Sequence, residues 1–291
     1  MTRLIRRLHI WFPLSLLLVT VAGAEETEAR TVFQGVTYTH CIETEPPRHI
    51  YVLRIGLDAE GVRFTTTGPN GDAPRETDTE TTRAFVARAG AQAGVNGSFF
   101  IHDHKPHTDV RGLAVSNGTP YSRWDKKGYR IGVNIAKDNS VTFFERAEKL
   151  ETGFETEPPV DLYNALTGNT WLVRGGKNVG KAGGKRHPRT AIGLTEDGEL
   201  LLLVVDGRQP GRSVGMTYAE LGKTLVELGA AAGINLDGGG SSTMVLADPE
   251  PRVVNAPVPF ELTEGLTQDP PGIERAVGNN IGVFAEARAA E

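Results

Sequence analysis

The segment Gly233-Ile234-Asn235-Leu236-Asp237-Gly238-Gly239-Gly240-Ser241-Ser242-Thr243-Met244 gathers an acid, a glycine run and hydroxyl groups. An apolar run reaches one carboxylate, three glycines follow, then three hydroxyl residues. Glycine has no Cβ, so consecutive glycines let backbone N–H groups turn toward one point. A concave run of such amides binds anions. An acid beside such a cradle points to chemistry on a phosphorylated or otherwise anionic substrate. We therefore expect Asp237 to be catalytic, and Gly238, Gly239, Gly240, Ser241, Ser242 and Thr243 to contact substrate. Asp-Gly is also an ordinary turn dipeptide, so the neighbouring residues must decide.

A second acid, Asp206, ends the apolar run 200–205 and precedes Gly207-Arg208. In open α/β sheets ligands collect beyond the carboxyl ends of strands, and two carboxylates in one cleft divide acid, base or nucleophile roles. Asp206 is thus a second catalytic candidate, against the plainer reading that it caps a turn or pairs with Arg208. Arg189 and Arg208 are expected anion partners, because the guanidinium fork matches phosphate oxygens; Arg212 is a weaker one. Glu274 and Arg275 stand before the last apolar segment, Glu274 as a further catalytic candidate and Arg275 as a substrate contact, with a surface ion pair as the alternative. The stretch 91–98 echoes 230–235, which would bring Asn96 to the same side of a sheet as Asp237.

His102, His104 and His107 lie in Ile101-His102-Asp103-His104-Lys105-Pro106-His107. A His-x-His pair suits a metal, but a His-rich tract is by itself compositional, and no cofactor is expected. Ser98 and Ser241 lack a Gly-x-Ser-x-Gly elbow, and no Walker lysine follows the glycines. Cys41 is the sole cysteine, so no internal disulfide forms.

The elements that must position these residues read as follows. Segments 31–39 and 48–57 predict strands, the second alternating in His49-Ile50-Tyr51-Val52-Leu53-Arg54-Ile55. Thr77 and Glu80 have capping-box spacing ahead of a helix over 81–89, followed by a buried strand over 95–101. Segments 131–135 and 141–144 predict a hairpin turning at Asp138-Asn139. Segments 190–194 and 199–205 predict paired strands, the second buried on both faces. Thr217 and Glu220 form another capping box, with Leu221, Leu225 and Leu228 on one stripe of the helix that follows. That helix and its flanking strands predict a parallel, right-handed crossover. The expected fold is α+β or mixed α/β, a central, mostly mixed sheet with helices packed on it.

Arg3, Arg6 and Arg7 precede an apolar stretch and the small residues Ala22-Gly23-Ala24, a secretory signal pattern. The stretch falls short of the about 20 residues a membrane span needs. Cleavage near Ala24 and an exported, periplasmic or secreted protein with no membrane span in its mature chain are expected. The net charge is −5, and loss of the leader's arginines makes the rest more acidic, which argues against a nucleic-acid partner. The division expected is 1–24 signal peptide, 25–90 N-terminal strands and connecting helix, and 91–291, with the last two forming one domain.

With these residues in hand, the chain resembles the phosphodiester glycosidase family. The resemblance rests on Asn96-Gly97-Ser98-Phe99-Phe100, Pro188-Arg189-Thr190-Ala191-Ile192-Gly193, Val205-Asp206-Gly207-Arg208, Gly215-Met216-Thr217, 235–243, Asn255-Ala256-Pro257 and Glu274-Arg275-Ala276-Val277. It covers 91–284. The longer stretch 258–272 and the His loop depart from the pattern. The resemblance implies hydrolysis of the sugar C1–O bond of a glycosyl phosphodiester in envelope or exopolysaccharide material. It implies that the Gly238–Gly240 amides, Ser241, Ser242 and Arg189 hold the phosphate, while Asp237 or Asp206 serves the sugar carbon. A metal-dependent phosphoesterase and a non-catalytic glycan-phosphate binder are the competing readings.

Overall fold

The computed structural model describes residues 24–26, 29–102, 105–124, 128–148, 153–258 and 272–288. Residues 1–23 of the expected leader (1–24), His104 and the stretch 259–271 lie outside the described residues, and Ala24 begins the first described strand.

Three antiparallel sheets and one two-stranded ribbon, Thr77–Asp78 with His107–Thr108, are formed by the described residues. The largest, of nine strands, runs Ala24–Glu26, Val36–Thr44, Pro47–Gly56, Glu199–Val205, Arg189–Thr195, Ala230–Asn235, Thr170–Arg174, Lys177–Asn178, with Arg30–Phe33 added on Val36–Thr44. A five-stranded sheet runs Pro251–Val253, Met244–Ala247, Ala93–Asn96, Asn280–Phe284, Arg63–Thr66. A six-stranded sheet from Thr119–Ser122 to Thr156–Glu157 contains the hairpin Ile131–Ile135 and Val141–Arg146. The 25–90 region is woven into later strands: Pro47–Gly56 pairs with Glu199–Val205, and Arg63–Thr66 with Asn280–Phe284.

This corrects the expected α+β or mixed α/β fold. The described residues hold two α-helices, Thr82–Ala89 and Tyr218–Glu227, and every strand pairing among the named strands is antiparallel. Double burial misled the sequence reading, because it follows from what covers a strand and not from strand direction. Leu200, Leu202 and Val204 face the core shared with the other sheets, while Leu201, Leu203 and Val205 face the helix Tyr218–Glu227. The expected parallel crossover is therefore not a pair of neighbours. Glu199–Val205 and Ala230–Asn235 run the same way, but Arg189–Thr195 lies between them, antiparallel to both. The carboxyl ends of the two outer strands thus flank the start of the middle one, and Asp206, Arg189 and Asp237 leave one edge of the sheet.

The helix Tyr218–Glu227 has the capping box read from the sequence: Glu220 N–H donates to Thr217 Oγ1, and Thr217 N–H to Glu220 Oε2. The first helix is capped by Thr81, not Thr77, because Thr77 is buried and donates its hydroxyl to Gly68 O. Gly222 sits mid-helix, where glycine normally costs about 1 kcal/mol relative to alanine. Its place is set by packing, since a Cβ there would stand 2.3 Å from Asn178 Oδ1 and 2.8 Å from Leu172 O. We expect Gly222→Ala to lower the thermal melting point despite alanine's better helix propensity; a rise would mean that the helix is free to lift off the sheet.

Candidate active site

Two strand ends from different sheets meet at the sheet edge. The 91–98 and 230–235 segments do not share a sheet; they abut. Asp237 N–H donates to Gly97 O at 3.0 Å, and Asn96 Nδ2 donates to Asp237 O at 2.7 Å. Asn96 Oδ1 accepts from Thr190 Oγ1 at 2.7 Å and from Thr243 N–H at 3.2 Å. One fully buried amide side chain therefore ties the Asp237 loop to the strand that carries Arg189. Asn96 fixes the site from behind and does not line it.

The Asp237 side chain is 5% exposed at the floor of a cleft of about 500 Å³. Its Oδ1 accepts from Gly238 N–H at 2.9 Å, and its Oδ2 is a buried oxygen with no well-formed hydrogen bond among the described residues. Burial raises its pKa to about 6, against the pull of the Ser241 hydroxyl, the Gly238 N–H and the Arg275 charge. The other charged groups on the described walls are cations: Arg189, Arg208, Arg275 and Lys105. The cleft is positive in a chain of net charge −5.

Each arginine is held by a nameable device. Arg189 donates Nε–H to Met216 O at 2.9 Å and lies 4.2 Å from the Tyr218 ring centroid. Residues 216–218 lead into the capped helix, so the cap also orients this guanidinium. Arg208 takes a left-handed φ of 60°, and its guanidinium covers Gly239, where a Cβ would come within 3.1 Å. Gly238 is needed for a similar reason, since a Cβ there would stand 2.8 Å from Pro188 O.

The glycine run works differently from the expected cradle. Gly238 N–H is spent on Asp237, Gly239 N–H on Pro188 O, Ser241 N–H on Gly238 O and Ser242 N–H on Gly239 O. The loop winds into a single 3₁₀ turn, Gly239–Ser241, and its side chains Ser241, Ser242 and Thr243 are buried off the cleft. The run brings backbone and guanidinium close together; side-chain cations supply the anion field.

Asp206 does not line the cleft. It is 1% exposed, and both carboxylate oxygens are occupied. Arg212 donates to Oδ2 at 2.7 Å, Tyr51 OH to Oδ2 at 3.0 Å, Asn255 Nδ2 to Oδ1 at 2.9 Å, and Ala256 N–H reaches both oxygens at 3.1 Å. Asn255 in turn donates to Ser242 O and accepts from Met244 N–H. Asp206 thus braces the back of the Asp237 loop through Asn255. Its ion partner is Arg212, not Arg208. Glu274 accepts from Arg83 N–H at 3.0 Å and pairs with the Arg83 guanidinium at 3.2 Å, anchoring its segment to the first helix. Its neighbour Arg275 reaches the cleft.

His102 lines the cleft, whereas His107 Nδ1 is engaged with Asp78 at 2.5 Å. Among the described residues no group of three or more His, Cys, Asp or Glu is arranged to hold a metal. Phe99, Lys105 and His187 are cleft residues not singled out in the sequence as substrate contacts. His187 precedes the Pro-Arg pair, and burial with the charges of Arg189, Arg208 and Lys185 lowers its pKa. It is a neutral imidazole at neutral pH, and its Nδ1 is buried with no hydrogen-bond partner among the described residues.

The folded chain holds the Asp237 proton to higher pH than the unfolded chain does. Ionising it therefore costs stability, and that cost grows as pH rises from 3.8 to about 6. Asp237→Asn keeps an acceptor for Gly238 N–H and carries no charge. We expect the variant to melt a few degrees above the parent at about pH 8, with the gap closing as pH falls through about 6. A lower melting point across the whole range would show that the carboxylate is not under a burial penalty.

The sequence model of the phosphodiester glycosidase family matches residues 89–284. The SPbeta prophage-derived uncharacterized protein YomE of Bacillus subtilis strain 168 is 28% identical over 182 residues, 57% of this chain and 26% of that protein. The N-acetylglucosamine-1-phosphodiester alpha-N-acetylglucosaminidase of Bos taurus is 30% identical over 204 residues, 62% of this chain and 35% of that enzyme. The chain thus spans about a third or less of the length of these relatives. Among solved structures, the zebrafish N-acetylglucosamine-1-phosphodiester alpha-N-acetylglucosaminidase catalytic domain, auto-inhibited by its pro-peptide, aligns with a TM-score of 0.60 at 18% identity, covering 92% of this chain and 85% of that one. A putative exported protein of Burkholderia pseudomallei K96243 aligns at 0.55 and 18% identity, covering 81% and 74%. The zebrafish and Burkholderia likenesses concern the fold, and the match over 89–284 carries the assignment: this chain belongs to the phosphodiester glycosidase family.

Proposed function

We propose that this protein hydrolyses the sugar C1–O bond of glycosyl-1-phosphodiesters, as an exported enzyme acting on envelope or exopolysaccharide material. The observation that carries the reading is a single buried carboxylate facing a wall of cations. Family membership and the named activity of the bovine relative support it. No described helix is long and apolar enough to cross a membrane, and the leader-like start of the sequence supports export.

The chemistry follows from the charges. Arg189, Arg208 and Arg275 hold the phosphodiester, and Lys105 sits beside them. Pre-placed charge of this kind stabilises a leaving group as its bond breaks. Asp237 stands at the sugar carbon, steadies the positive charge that develops there and takes the proton of the entering water. Glycosidases ordinarily pair a nucleophile or base with a carboxylic acid that protonates the leaving oxygen. Asp237 is the one carboxylate on the described walls, and burial, helped by the neighbouring cations, disfavours protonation of His187. Cleavage of C1–O releases a phosphate monoester, which leaves as a stable anion and needs little protonation, so this arrangement suits that substrate better than an ordinary glycoside.

Incubating residues 25–291 with a panel of glycosyl-1-phosphodiesters in oxygen-18 water tests the bond. Label on the sugar is the expected product; label on phosphate would replace this reading with a phosphoesterase. Asp237→Asn should lower turnover by about 10²–10⁴-fold, the range of positioned acid–base groups. Because the ionised form acts, kcat/KM should fall as pH drops through about 6. Full activity in Asp237→Asn would remove Asp237 from the mechanism.

A further inference from the structure

A glycosyl phosphodiester has an anionic part and a sugar with an apolar C–H face, and the cleft has one wall for each. The cationic wall is described above. Opposite in character is Phe99, the one carbocyclic ring among the described lining residues. Its neighbour Phe100 is 4% exposed in the core, while Phe99 is half-buried and turned to the cleft. Leaving a phenyl ring partly in water forgoes burial that the fold elsewhere secures.

The backbone that carries Phe99 is clamped on every side. Gly97 N–H donates to Asn279 O at 2.8 Å, and Ser98 N–H to Asn279 Oδ1 at 2.9 Å. Ser98 Oγ accepts from Thr167 N–H at 2.9 Å, and Phe99 O accepts from Arg111 N–H at 2.7 Å. The backbone cannot turn to carry this ring toward the core without breaking these bonds. Tyr129 packs against it, with ring centroids 5.1 Å apart and planes at 44°. Tyr129 has a φ of 40°, a left-handed conformation that bulky residues rarely adopt. Such departures persist where surrounding structure enforces them, often at ligand sites.

We propose that Phe99, packed against Tyr129, is the sugar platform of the cleft: the C–H face of a hexopyranose lies on the Phe99 ring while its phosphate lies on the arginines. This rests on the reading of the substrate as a glycosyl phosphodiester and adds which residue selects for the glycosyl half. Aromatic rings present a large, flat apolar surface to such a partner. Phe99 is then a specificity residue, and phosphate binding should not depend on it.

The test separates the two halves of the ligand. Phe99→Ala, Phe99→Tyr and the parent protein are compared for KM and kcat on a glycosyl-1-phosphodiester and for competitive inhibition by inorganic phosphate. Phe99→Ala should raise KM about 10-fold or more, an effect within the range of buried aromatic contacts. Inhibition by phosphate should stay within about twofold, and Phe99→Tyr should restore KM, because a ring face is what matters. An unchanged KM in Phe99→Ala, or a phosphate constant that rises in step with KM, overturns the proposal. Binding alone provides a readout should the parent fail to turn over the substrate, a result that would count against the proposed activity. Saturation-transfer NMR with glucose 1-phosphate should then show transfer to sugar C–H protons in the parent and its loss in Phe99→Ala, with phosphate binding kept. Equal transfer in both proteins would sink the platform.

Discussion

Everything at the cleft hangs on Asn96. Its carboxamide is fully buried and makes bonds to three separate segments: Asp237 O, Thr190 Oγ1 and Thr243 N–H. Removing it would leave those polar groups unpaired in the interior, where each such loss costs about 1–3 kcal/mol. The bonds do more than stabilise. They set the end of the Ala93–Asn96 strand against the end of the Ala230–Asn235 strand, and so fix where two sheets meet. The Asp237 loop, the Arg189 strand and the Phe99 segment all leave that junction, and their relative placement follows from it.

The junction also explains why an ionisable group can be kept buried. Asp237 is desolvated because the loop around it is rigid, and rigidity comes from backbone groups that are already satisfied. Gly238, Gly239, Ser241 and Ser242 turn their N–H groups inward, onto the carboxylate, Pro188 or one another. Behind them Asp206, Arg212 and Asn255 form a closed, hydrogen-bonded unit. A buried charge with all its bonds made braces its surroundings, whereas a buried carboxylate with an oxygen left over calls for an explanation, which the proposed mechanism supplies for Asp237. By that criterion the two strand-end acids have opposite duties, although they stand at the same edge of the same sheet.

Much of this was legible in the chain, and the boundary is physical. Short-range features read well: the Thr217–Glu220 cap, the hairpin at Asp138-Asn139, and the two-sided burial of the Glu199–Val205 strand each depend on residues close in sequence. Strand direction did not, because partners are chosen over long range: Glu199–Val205 pairs with Pro47–Gly56, and Ala93–Asn96 with Asn280–Phe284. Asp206 and Asp237 look alike as strand-end acids, and only Asn255 and Ala256, distant in sequence, tell them apart. The glycine run does line the cleft, but the sequence could not show that the Ser241 and Ser242 N–H groups close onto Gly238 and Gly239 in a 3₁₀ turn. Phe99 had a faint signal: of two adjacent phenylalanines at a strand end, alternation allows one to face the core.

The division of labour between the two acids bears on which bonds the cleft is suited to break. A site with an ionised carboxylate, fixed cations and a neutral imidazole has no described wall residue placed as a strong acid. Such a site would lower a barrier best where the departing group carries its own stability as an anion, and phosphate esters meet that condition while sugar alkoxides do not. Burial first, and then the charges of Arg189, Arg208 and Lys185, keep His187 from taking a proton, so two of the cations proposed to bind the phosphate also oppose an acid at that place. Burial of Asp237 belongs to the same design. A carboxylate in water is shielded from a developing positive charge, whereas one held in a partly desolvated site is shielded less. In the proposed mechanism the stability given up to keep Asp237 dry reappears as attraction to a sugar cation, and one such residue suffices because the leaving group supplies the rest.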